Sequence, residues 1–89
     1  MNESEPDPFD FPTDFPLKIV GVRRDDFARS IAAIVREHAP DFDPATLEMR
    51  VSSQANYLSL TATIRATSRP QLDALYRALT AAPGVKFVL

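Results

Sequence analysis

Eighty-nine residues without a single Cys bound the protein to one small domain that has no disulfide, thiolate metal site or thiol nucleophile. A chain of this size buries only about 60% of its unfolded surface, so it gains stability from a partner or a second copy. The formal net charge of −2 is unevenly distributed: residues 1–16 carry Glu3, Glu5, Asp7, Asp10 and Asp14 with no base, whereas residues 17–89 hold all ten bases against seven acids, an acidic tail on a mildly basic body.

Met1 to Asp10 is polar and broken by Pro6 and Pro8, which excludes a helix and reads as extended, disordered chain. Phe9, Phe11 and Phe15 are the aromatic exceptions. They suggest that the last part of the tail, taken here as residues 1–16, packs on a domain spanning 17–89. Leu17 to Val22 reads as the first strand, with Leu17, Ile19 and Gly21 on one face and Lys18, Val20 and Val22 on the other. Asp25 or Asp26 then suits a helix N-cap. Phe27, Ile31, Ile34, Val35 and His38 follow at i, i+4, i+7, i+8 and i+11, one face of an α-helix that Pro40 ends.

Beyond a loop from Asp41 to Thr46 the period changes from helix to strand. Leu47, Met49 and Val51 alternate with Glu48, Arg50 and Ser52; Leu58, Leu60, Ala62, Ile64 and Ala66 alternate with Ser59, Thr61, Thr63, Arg65 and Thr67. The polar run Ser53 to Asn56 between them reads as a hairpin turn. Ser68 with Gln71 is a capping-box pattern with Pro70 in the first turn, and Leu72, Leu75, Tyr76 and Leu79 give the stripe of a second helix. Pro83-Gly84 is a turn, and Val85, Phe87 and Leu89 alternate with Lys86 and Val88 in a last strand.

This order predicts a ferredoxin-like βαββαβ α/β sandwich, a four-stranded antiparallel sheet with both helices on one face. The predicted core includes Met49, Val51, Val85 and Phe87 alongside the apolar residues of the helices and of the hairpin's second strand. The opposite, open face then displays Lys18, Arg50, Tyr57, Arg65 and Lys86, cations from four different strands around one aromatic. Such a face suits an acidic protein partner, or a second copy in a homodimer. The loop Gly21, Val22, Arg23, Arg24, Asp25, Asp26 is a second candidate. Gly21 permits close backbone approach and Arg23 or Arg24 can pair with the carboxylate of a small ligand, while a charged surface turn is the plain reading of the same residues.

Other chemistries find little support. Nucleic-acid recognition on this topology needs exposed aromatics on the central strands, where Thr61 and Thr63 stand instead. The sole His, His38, sits near a helix C-terminus with no second His, Cys or carboxylate pair beside it, which points to a structural role and to no enzyme. Metal and cofactor sites lack convergent ligands. No apolar run approaches the roughly 20 residues that span a bilayer, and the N-terminus is acidic where a secretory signal is basic, so a cytoplasmic protein without a membrane partner is expected.

Phe11-Pro12-Thr13 with Phe15, Lys18 and Gly21, then His38-Ala39-Pro40, Ser52-Ser53 with Asn56-Tyr57, Leu75-Tyr76 and the terminal Val88-Leu89 resemble the YbeD-like family of small bacterial proteins, from about Phe11 to the end. Ala55 departs from the Gly expected in the turn. The resemblance implies a ferredoxin-like sandwich similar to the small-molecule-sensing ACT regulatory domains, and a regulatory or accessory role beside lipoate-biosynthesis enzymes. It brings no catalytic residues. Ser52, Ser53, Asn56 and Tyr57 mark either a binding edge or hairpin-shaping side-chain bonds. The function expected is therefore a non-enzymatic regulatory or adaptor protein acting through its open sheet face, the alternative being an ACT-like sensor of an amino acid or small acid at Gly21, Arg23, Arg24 and Asp25.

Overall fold

Two ten-residue strands carry the sheet in a computed structural model that describes residues 10–52 and 56–89. The acidic segment 1–9 and the turn positions Ser53, Gln54 and Ala55 lie outside the described residues. In chain order the elements are β1 (Thr13–Val22), α1 (Phe27–His38), a 3-10 turn (Pro44–Thr46), β2 (Glu48–Val51), β3 (Tyr57–Ala66), α2 (Arg69–Thr80) and β4 (Val85–Val88). The strands lie in the order β2-β3-β1-β4, and every neighbouring pair is antiparallel. This is the ferredoxin-like topology read from the sequence.

β1 begins at Thr13, four residues before the start read from the sequence. Its register against β3 is unbroken from Thr13 opposite Ala66 to Val22 opposite Tyr57, and Phe11 and Phe15 pack against the core. Pro16 conceals this extension, since it cannot donate to a ladder. It is tolerated because β4 ends beside Lys18, leaving β1 paired on one side only at that point.

Leu17 and Ile19 of β1, Leu58, Leu60, Ala62, Ile64 and Ala66 of β3, Phe27, Ile31 and Val35 of α1, and Leu72, Leu75 and Leu79 of α2 form one buried cluster. Ala39 and Phe42, just past α1, close it at one end. Three residues predicted to be core are not: Met49, Val51 and Phe87 are 59%, 44% and 49% exposed. Met49 and Val51 stand opposite Leu60 and Leu58, on the helix side of the sheet. β2 is an edge strand, however, and α2 packs over β3 and β4, so nothing among the described residues covers them.

Phe87 is exposed for a different reason. Val20 pairs with Phe87 and the next residue, Gly21, pairs with Val85, so Lys86 is the extra residue of a β-bulge. The bulge reverses the alternation of β4: Val88 falls opposite Ile19 and packs on the core, while Phe87 shares the open face with Val20.

The helix ends are held differently. At α2 the Ser68 hydroxyl accepts from Gln71 N–H at 3.2 Å, as the capping box requires. Gln71 reaches one residue beyond the expected partner, accepting from Thr67 N–H at 2.7 Å and donating to His38 C=O at 2.8 Å, which ties the start of α2 to the end of α1. At α1 the expected acid cap is not made. Asp26 occupies the N-cap position without a side-chain cap bond; its carboxylate lies 3.7 Å from Arg24 Nε in an exposed pair, and Phe27 N–H donates to Arg24 C=O in a turn.

Candidate interaction surface

The sheet face away from the helices is built by register, row by row. Asp14 stands opposite Arg65 and Pro16 opposite Thr63. Glu48, Thr61 and Lys18 form the next row, extended by Leu89, which exchanges backbone hydrogen bonds with Lys18 at 3.2 and 2.8 Å. Arg50, Ser59, Val20 and Phe87 follow. Ser52, Tyr57 and Val22 close the hairpin end, where Ser52 N–H donates to Tyr57 C=O and the Ser52 hydroxyl accepts from Tyr57 N–H. The Ser52 hydroxyl therefore shapes the hairpin by a side-chain to backbone bond.

The rows divide the face into two zones. At one end Arg65 pairs with Asp14 at 3.2 Å, both side chains well exposed, about four residues along β3 from the row of Lys18, or roughly 13 Å. At the other end Val20, Tyr57 and Phe87 form an apolar floor, with Tyr57 41% exposed. Lys86 Nζ stands 5.9 Å from the centroid of the Tyr57 ring, in range of a cation–π attraction. Three shallow depressions run into one another here. One of about 390 Å³ is lined by Val20, Tyr57, Lys86 and Phe87; one of about 220 Å³ continues past Val20 and Tyr57 to Arg50 and Lys18; one of about 260 Å³ reaches Glu48 and Thr61.

Of the open-face residues singled out in the sequence, Lys18, Arg50, Tyr57 and Lys86 thus border one trough, whereas Arg65 stands apart with Asp14. Phe87, Val20, Glu48 and Leu89 complete the surface. Phe87 was hidden by the bulge, whereas Glu48 follows from the same alternation that places Arg50 and is the acid among the cations collected from that face.

The loop candidate is arranged otherwise. Gly21 lies inside β1, and a Cβ there would collide with the Phe27 ring and stand 2.6 Å from Gly84 O. Its lack of a side chain lets the chain's own ring and turn approach. Gly84 holds φ at 87°, a left-handed turn that suits glycine, and its carbonyl accepts from Val22 N–H at 2.9 Å. Arg23 N–H donates to Asn56 C=O at 3.1 Å, and Arg24 and Asp25 are exposed. None of these four residues lines the trough.

The trough brings together cations, hydroxyls and an apolar floor, a set suited to holding an extended segment of mixed apolar and acidic character. It holds no base beside a nucleophile, and among the described residues no three His, Cys, Asp or Glu side chains converge as a metal site would need. Tyr76 of α2 has its phenol pushed up from the ordinary value by burial, but it packs against the core. No described helix is long and apolar enough to cross a membrane.

Comparison with known proteins agrees with this fold. The chain is 56% identical over 80 residues to a UPF0250 protein of Ralstonia nicotianae, covering 90% of this chain and 82% of the relative. It is 51% identical to a UPF0250 protein of a Janthinobacterium species with both chains covered in full. Among solved structures it resembles protein HP0495 from H. pylori, with a TM-score of 0.75 at 12% identity over 99% of this chain and 91% of that one. It also resembles the ACT domain from GTP pyrophosphokinase of Chlorobium tepidum, with a TM-score of 0.64 at 19% identity over 85% and 84% of the two chains. The family model described as "Protein of unknown function (DUF493)" matches residues 7–89, and with relatives at this identity the chain belongs to that family, the YbeD-like family its motifs resemble.

Proposed function

We propose that the protein is a non-enzymatic regulatory or adaptor module of the cytoplasm that docks a segment of a partner protein on its open sheet face. In this reading the floor of Val20, Tyr57 and Phe87 takes an apolar side chain, and Lys18, Arg50 and Lys86 take the acidic residues around it. The observation that carries it is the β4 bulge, which turns both Lys86 and Phe87 onto the side of Tyr57. An exposed aromatic pair ringed by cations from three strands is an unusual thing to leave in water, and aromatic and basic residues are enriched where proteins meet. The fold shared with an ACT domain supports a regulatory role. A place beside lipoate synthesis rests on the family resemblance alone.

The sensor alternative is less well supported, because the close approach that Gly21 permits is filled by Phe27 and Gly84. A peptide-array screen with the labelled protein separates the two. Peptides with one aromatic or branched apolar residue between Asp and Glu should bind, shift the amide signals of Val20, Tyr57 and Phe87, and lose affinity about tenfold with the Tyr57→Ser, Lys86→Glu double variant. Selection of no such peptide, with a rise in melting temperature on adding an amino acid or short fatty acid, would move the function to the Gly21 to Asp25 loop.

A further inference from the structure

We infer that the partner segment docked on the open face runs across the strands, and that Glu48, at the end of the trough, selects a basic residue in it. From β4 towards β2 the segment carries an apolar residue, an acid two positions on, and a Lys or Arg two positions beyond that. The inference deepens the docking role proposed above and rests on it.

The depressions overlap in a fixed order. Val20 and Tyr57 border both the one that holds Phe87 and its neighbour. Lys18, Arg50 and Ser59 border both that neighbour and the one that ends at Glu48 and Thr61. The path therefore leads from β4 over β1 and β3 to β2. Ladder hydrogen bonds lie in the plane of a sheet, so a segment crossing its face gains none of them and is held by its side chains. Val20 pairs with Ser59 and Ser59 with Arg50, while Glu48 lies one row further along β2. Two strand spacings and one row step then separate Val20 from Glu48 by roughly 12 Å. An extended chain covers about 13 Å in four residues and turns alternate side chains to the same side. Positions i, i+2 and i+4 of the segment thus fall on the apolar floor, on the middle of the trough and on Glu48.

Each of these places has its own chemistry. The floor of Val20 and Phe87 beside Tyr57 takes the apolar side chain. In the middle Lys18 and Arg50, on the strands either side of Ser59, join their charges to its hydroxyl, a set that suits a carboxylate. Glu48 is exposed on the same face, an acid at a mouth where Lys18 and Arg50 supply the bases. A further acid on the segment would stand beside Glu48 as a like charge, whereas a Lys or Arg there forms an opposite-charge pair. A face of uniform positive potential attracts the most acidic segment on offer. One repulsive position makes the same face choose a segment of mixed charge that ends in a base.

Fluorescence anisotropy with the full chain and labelled peptides tests the selection. The peptides read Asp-Leu-Ser-Glu-Ser followed by Lys, Gln or Glu, and each is also made in the reverse order, since side-chain contacts suit either chain direction. In the order that binds better, the Lys peptide should bind the wild type about tenfold more tightly than the Glu peptide, with Gln between, although the basic face by itself favours Glu. Glu48→Lys should reverse this ranking and Glu48→Gln should remove most of it, with circular dichroism confirming that both variants fold. Moving the Lys back one position should cancel its advantage, because its side chain then turns away from the sheet. A Glu peptide bound as tightly as the Lys peptide, or a ranking unchanged in Glu48→Lys, would overturn the inference, and docking itself would stand if Tyr57→Ser still weakens every peptide. Binding of none of the peptides would overturn both this inference and the docking role beneath it.

Discussion

The inner strands β1 and β3 and the outer strands β2 and β4 carry similar alternating sequences and end in different surroundings. Leu58 and Leu60 of β3 are 6% and 0% exposed; Val51 and Met49, directly opposite them on β2 and on the same side of the sheet, are 44% and 59% exposed. Alternation fixes which side of a sheet a residue takes. Burial depends on what lies above it, and here the helices lie over the inner strands and β4. The inner strands therefore hold the fold, and the outer strands are free to present apolar and charged groups to something else.

Shaving side chains on the two strands should expose that division most strongly. Leu60→Ala removes a fully buried side chain from the cluster and should cost about 3 kcal/mol, the usual range for a core leucine. Met49→Ala, across the ladder on the same face, should cost under about 0.5 kcal/mol in dilute protein, as exposed substitutions commonly do. Urea unfolding of both at low concentration measures the difference. Equal losses would mean that β2 is covered and that the contrast between inner and outer strands is false.

Gly21→Ala sharpens the comparison from the inner side. The added methyl group meets the Phe27 ring and Gly84 O, so the contact between β1, the start of α1 and the turn before β4 has to open. Overpacking of this kind costs about 1–3 kcal/mol. A loss of that size in the urea midpoint, with the amide of Val22 exchanging faster as its bond to Gly84 C=O weakens, is the expected result. A neutral Gly21→Ala would show that the site has room, and would reopen the loop as a place where a ligand can approach.

These contrasts also explain what the sequence revealed. The strict period of β3 and the stripes of the two helices specify the element order, and with it the sheet order and the ten buried positions at Ile19, Phe27, Ile31, Val35, Leu58, Leu60, Ile64, Leu72, Leu75 and Leu79. Lys18, Arg50 and Tyr57 fall on the open face by the same parity, because β1 and β3 keep their register without interruption. The outer strands are only four residues long, too short for a pattern to show a slip. One inserted residue at Lys86 reverses the alternation of β4, and no composition signal marks it. Pro16 hid the first turn of β1 because an edge-tolerated proline and a strand-ending proline look alike in a single sequence.

Arg65 supplies the smallest effect and the finest distinction on the open face. It lies on an inner strand with the parity of the docking residues, yet it meets Asp14 at 3.2 Å in a pair with both side chains exposed. Exposed pairs of this kind contribute about 0.2–1 kcal/mol and are screened by salt. Arg65→Ser should therefore lower stability by no more than about 0.5 kcal/mol at low salt and by less in molar salt, and should leave docking at Tyr57 and Phe87 unchanged. Peptide binding measured on Arg65→Ser beside Lys86→Glu decides whether the face acts as one basic surface or as two zones. If both variants lose affinity alike, long-range charge governs docking and the bulge is incidental. If only Lys86→Glu loses it, recognition lies where β4 turns a cation and a ring onto the same side of the sheet.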